Sequence, residues 1–300
     1  MITRTCIASV IIVCSACQTA EPDPLATSDL AEARALITAG EKWKAWSLLQ
    51  DFEEEEFDRF TRAEYSQLAG DLAYENGDFN LAIQYYEKAL LAGIAANNSR
   101  TTEARLFEMG CAYMDGDVRI LGIFPDSNRG IVTLQNLHAW APESPYAPEC
   151  LARVASFAFE NGRFAEASAD YQTILRFYPD SEWADIAHFR IGMCGLERIK
   201  GPDSDPKLIS QAINQLQAYL EGAPSGLHRE EAKNGIARLE ELSAQHEIKI
   251  GDYYLAIGNV EGARIHFEEA AGRQGTAAAE IANLRLTGLL STSDLPVNEQ

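Results

Sequence analysis

The sequence predicts an all-α fold, a right-handed α-solenoid of about six helix pairs, and three observations carry that reading. A figure of small and aromatic residues recurs at fixed spacing. It runs Gly70, Gly77, Phe79, Ala82, Tyr86, Ala89; then Ala155, Gly162, Phe164, Ala167, Tyr171, Ile174; then Gly251, Gly258, Val260, Ala263, Phe267, Ala270. Pro179 closes the second of these, and Pro142 and Pro224 close two further copies. Each copy is too short to bury its own apolar face, so it needs a neighbour stacked on it.

The physics of one copy is two short antiparallel helices that touch closely. Small residues such as Gly70 and Ala82 let the backbones approach, and the aromatic four positions further on fills the adjoining gap. The glycine between the helices supplies the stop and the turn. Ser144-Pro145 and Asp180-Ser181 are placed to cap the helices that follow the prolines. On this reading Tyr86 and Tyr171 are core residues.

The remaining copies are weaker or stretched. The first runs Ala33, Gly40, Ala45, Leu49, Phe52 and lacks a closing proline. Gly110 opens a unit whose second half is Gly130, Leu134, Leu137 and Pro142; Gly192 opens one completed by Ala212, Leu216, Tyr219 and Pro224. The extra residues fall in the same turn both times, at 115–128 and 200–206. The first insertion carries Ile120, Leu121, Ile123 and Phe124, so it either folds back onto its own repeat or offers a docking knob to a partner.

Composition sets limits. The 300 residues are 46% hydrophobic, enough for a sizeable core, and 45 acidic against 25 basic side chains give a formal charge of -20. Such a chain repels nucleic acid, so no nucleic-acid partner is expected. The opening MITRTCIASVIIVCSAC places Arg4 before a short apolar run and then Ser15-Ala16-Cys17, the build of a secretory signal rather than of a spanning helix. The expected organisation is a signal peptide at 1–16, a short linker at 17–28, the solenoid at 29–290 and a flexible tail at 291–300. Cys111, Cys150 and Cys194 show no CxxC spacing; they read as small buried hydrophobes, or as one disulfide joining Cys150 to Cys111 or to Cys194.

The search for catalytic chemistry finds none. His138, His188, His228, His246 and His266 each stand alone on a helix or at its end, and HEIKI at 246–250 lacks the second histidine of a zincin helix. No phosphate loop and no GxSxG elbow occur. The run EEEE at 53–56 and the GPDSDP turn at 201–206 lack the alternation of an EF-hand and read as solvated surface. Neither catalytic residue, metal nor cofactor is expected.

What remains is surface. The residue four after each opening small residue is apolar every time: Ile37, Tyr74, Met114, Phe159, Leu196 and Leu255. These residues either pack between neighbouring helices or form a peptide- and partner-binding groove. Gln67, Asp71 and Cys111 stand where a carboxylate clamp would need basic and asparagine side chains, which disfavours recognition of a peptide's terminal carboxylate.

The recurring offsets resemble the tetratricopeptide pattern. The small pair before Cys17 resembles the lipobox of bacterial lipoproteins, with Cys17 as the lipidated residue and Gln18 as a signal for the outer membrane. With the junction YPDSEWADIAHFRIG at 178–192 and the segment LEELSAQHEIKIGDYYLAIGNVEGARIHFEEA at 239–270, the chain resembles the BamD (YfiO-type) outer-membrane assembly lipoproteins. That resemblance implies a lipid-anchored scaffold on the periplasmic face of the outer membrane. Its partners would be subunits of the β-barrel assembly machinery and unfolded outer-membrane proteins. Other readings are a CpoB-like repeat adaptor of envelope division, or an accessory subunit of an envelope enzyme.

Overall fold

The computed structural model describes residues 24–52, 57–93, 96–120, 123–223 and 225–293. The expected signal segment, Cys17, the acidic run at 53–56, Pro224 and residues 294–300 of the expected tail lie outside them. The described residues form thirteen α-helices and one two-stranded hairpin, in two compact units at 1–113 and 114–300. No helix among them is long and apolar enough to cross a membrane.

The first unit holds α1 (Pro24–Thr38), α2 (Lys42–Gln50), α3 (Arg59–Glu75), α4 (Phe79–Ala92) and nearly all of α5 (Ala96–Met114). Consecutive helices pair, α1 with α2 and α3 with α4. Asp58 starts α3 by accepting from the amides of Phe60 and Thr61, and Asp78 starts α4 by accepting from Leu81 N at 3.1 Å. Between them Gly77 takes φ +78°, the left-handed conformation that a side chain would strain. Leu30, Ala33, Ala45, Leu49, Tyr65, Ala69 and Leu72 share one core.

The second unit begins with the hairpin β1 (Arg119–Ile120) and β2 (Phe124–Pro125), antiparallel with Ile120 opposite Phe124. Eight helices follow: α6 (Ser127–Trp140), α7 (Ala147–Glu160), α8 (Phe164–Phe177), α9 (Trp183–Arg198), α10 (Pro206–Gly222), α11 (Arg229–Ala256), α12 (Val260–Ala271) and α13 (Ala277–Ser293). Here α7 pairs with α8, α9 with α10 and α11 with α12. The close approach expected of the small residues is present. A Cβ placed on Gly251 would fall 2.5 Å from the Phe267 ring, and one on Gly192 would fall 2.5 Å from Leu216. Tyr171 and Phe267 are fully buried.

Two local expectations need correction. Ser144 and Asp180-Ser181 do not cap: α7 and α9 start after Tyr146 and Glu182 with no side-chain cap. Ser144 Oγ instead accepts from Tyr146 N at 3.3 Å and Ser181 Oγ donates to Tyr178 O at 2.8 Å, so both hydroxyls serve the turn that precedes the helix. The opening helix of the last pair is not short, because α11 runs 28 residues without a proline and both its glycines are buried at helix contacts. Among the described residues no helix carries more than one histidine, as expected, and those on or beside α11 and α12 contact neighbouring elements. His246 Nδ1 lies 2.6 Å from Pro202 O, His228 stacks on Phe189 at 4.5 Å, and His266 meets Glu247.

The two insertions differ. The 115–128 segment makes the hairpin and leaves Ile123 exposed. The 200–206 turn docks on α11, where Lys249 Nζ reaches both carboxylate oxygens of Asp203 at 2.8 Å. Cys111, Cys150 and Cys194 stand as thiols, the last two buried. Burial pushes the Cys194 thiol up to about 11, which makes it an inert packing residue.

Candidate functional site

The first unit contains a cleft of about 540 Å³ between α2 and the adjoining ends of α3 and α4. Trp43 and Trp46 are three residues apart on α2 and so share a face. Trp43 is 72% exposed, whereas Trp46 is half-buried with its ring edge-on to Tyr85 at 6.2 Å. Leu72, Ala73 and Leu81 add apolar lining. The polar lining is already occupied by the fold: Lys42 Nζ pairs with Glu75 at 2.7 Å, and the Asp78 carboxylate caps α4. An apolar cleft of this size with a few polar groups suits a side chain or short extended segment.

Beside it lies a polar cluster. The Tyr86 hydroxyl donates to Asp71 Oδ1 at 2.7 Å, and Arg105 Nη1 donates both to the same carboxylate oxygen and to the Tyr86 oxygen. Burial holds Asp71 above the usual carboxylate range despite the Tyr86 hydrogen bond and the Arg105 charge, which pull it down. The Arg105 guanidinium also sits 4.7 Å from the Tyr74 ring centroid. Asp71 is therefore one half of an ion pair.

The six residues of the apolar series have separate fates. Ile37 is half-buried against the core of α1 to α3. Tyr74 stacks on Phe79 at 5.6 Å and donates its hydroxyl to Glu108 at 2.8 Å, so most of its ring is engaged by its own unit. Phe159 packs edge-on to Phe164 at 5.2 Å, with the Arg190 guanidinium 4.7 Å from its ring. Leu196 is 3% exposed in the core of α9 to α11 and offers no surface. Met114 lines a cleft of about 430 Å³ with Arg153, Phe157, Glu160 and Trp183, and Leu255 is exposed near the end of α11. Trp43 and Trp46 escaped the sequence reading because they fall outside the repeating offsets; their own spacing on a short helix was the available signal.

Paired antiparallel helices with a glycine turn and an aromatic seated on a small residue define a tetratricopeptide-type repeat protein. Residues 63–92 match the tetratricopeptide repeat family. Residues 125–268 match the YfiO family, described as outer membrane lipoprotein. No curated protein matches. Among solved structures, the chain is similar to a tetratricopeptide repeat protein from Parabacteroides merdae ATCC 43184, with 15% identity and a TM-score of 0.33 over 88% of this chain and 98% of that one. It is also similar to MamA protein, with 18% identity and a TM-score of 0.29 over 79% and 98%.

Proposed function

We propose that this outer membrane lipoprotein is a non-enzymatic scaffold, anchored through lipid on Cys17, that holds extended apolar segments of unfolded outer-membrane proteins while β-barrels are assembled. The observation that carries the reading is the tryptophan-walled cleft of the first unit. An extended segment with a terminal aromatic residue has the shape and polarity to enter it. The later repeats, with Met114 in a second cleft and Leu255 on the surface, are the side we assign to a protein partner of the assembly machinery.

The test is titration of the mature chain with a barrel-strand peptide ending in an aromatic residue, followed by tryptophan fluorescence. Trp43→Ala removes little packing, so stability should move by about 1 kcal/mol or less. Affinity should fall about tenfold or more, since a few aromatic anchors carry most of an interface's energy. Unchanged affinity would sink the cleft. Capture from detergent-solubilised membranes of division proteins, or of one envelope enzyme, in place of assembly subunits would favour the other readings.

A further inference from the structure

We propose that the α11–α12 pair carries a binding site for a divalent transition ion of the Zn²⁺ class on Glu247, His266 and Glu269. Each residue offers one donor atom, and the three atoms lie within 4.8 Å of one another. His266 and Glu269 are three residues apart on α12 and share its face, while Glu247 reaches them from α11. The His266 Nδ1 is 2.7 Å from Glu247 Oε2. The ring is held in place independently of any ion: it stacks on Tyr254 at 5.3 Å and 9°. Tyr254 in turn lies over Gly262, where a Cβ would come 2.9 Å from its ring.

Other acidic groups of α11 and α12 already have basic partners. Arg264 pairs with Glu261 and Glu268, and Arg273 pairs with Glu240, which leaves Glu247 and Glu269 beside the imidazole. One imidazole nitrogen with two carboxylates suits a borderline ion; a thiolate-seeking ion has no sulfur here, and a hard ion prefers oxygen alone. Around tetrahedral zinc, donors stand about 3.4 Å apart, so the His266–Glu247 edge, 2.7 Å while hydrogen-bonded, must open by about 0.7 Å and Glu269 must move in by up to about 1.4 Å. Glu269 is exposed and free to swing by that much. Three protein donors leave a coordination position for water or for a side chain of a bound partner.

Calorimetric titration of the mature chain with ZnCl₂ in a non-chelating buffer tests the site. Saturable one-to-one binding is expected, weakened about tenfold or more in His266→Ala and in Glu269→Gln. Glu269→Gln changes a surface side chain, so its fold is secure. Zinc should also raise the melting temperature of the wild-type chain and not that of His266→Ala. Absence of saturable binding, or wild-type affinity in both variants, overturns the proposal.

Discussion

Gly70 of α3 presses against the Tyr86 ring of α4 so closely that a Cβ on the glycine would lie 2.7 Å from both Cδ1 and Cε1. Tyr86 is fully buried and cannot retreat, so Gly70→Ala is expected to destabilise. Overpacking costs about 1 to 3 kcal/mol, and the better helix propensity of alanine returns about 1. Tyr86→Ala alone should cost about 3 to 5 kcal/mol. In that background Gly70→Ala should become stabilising, because the ring it clashed with is gone. Urea unfolding of the four chains checks the reversal, and additive effects would contradict the contact.

The Asp71 carboxylate depends on Arg105. Arg105→Ala leaves a half-buried carboxylate supported only by the Tyr86 hydroxyl, at a cost on the order of 2 kcal/mol. Burial already raises the folded-state pKa of Asp71, and losing the guanidinium raises it further. An acid whose folded pKa exceeds its unfolded value opposes folding increasingly as pH rises through that window. The variant should therefore lose more stability at pH 7 than at pH 4, and Asp71→Asn should cost less than Arg105→Ala. Thermal melts at the two pH values decide it.

The helix pairs were legible because close packing leaves a mark at fixed offsets: Gly70 with Tyr86 and Gly251 with Phe267 are the same contact twice. The mark says which residues meet inside a pair and much less about which face is free. Leu196 shares its offset with Leu255, yet Leu196 is 3% exposed in the core of α9 to α11 and Leu255 is 36% exposed near the end of α11. The Asp71–Arg105 pair and the Glu247–His266 contact were illegible for another reason. Their members are 34 and 19 residues apart on separate helices, and polar pairing across a helix contact leaves no periodicity.

The anchor is tested chemically. Ser15-Ala16-Cys17 follows a short apolar run, and the match of residues 125–268 to an outer membrane lipoprotein family agrees with cleavage before Cys17. Mass spectrometry of the mature N-terminus should show a diacylglyceryl cysteine with further acyl chain on its amine, since one chain alone gives only marginal membrane binding. Cys17→Ser should release the protein from membranes. A mature chain starting elsewhere and unmodified contradicts the assignment.

Asp170 on α8 makes stability depend on pH in a way that one substitution isolates. Its Oδ2 is buried without a hydrogen-bond partner. Desolvation, then repulsion by Glu166 one turn earlier, raise its pKa from 3.8 to about 6, with Arg163 only partly opposing them. The folded chain thus holds this proton more tightly than the unfolded chain does. Near pH 3 and below both states are largely protonated and the group costs little; between 3.8 and about 6 folding must return the proton that the carboxylate has lost in the unfolded chain, and above that the full penalty applies. Asp170→Asn keeps the shape and removes the charge. It should therefore match the wild-type stability near pH 3 and exceed it at pH 7.5, by on the order of 1 kcal/mol because solvent screens a half-buried carboxyl. Chemical denaturation of the two chains across that range measures the gap. Parallel curves would place the pH dependence elsewhere in the molecule.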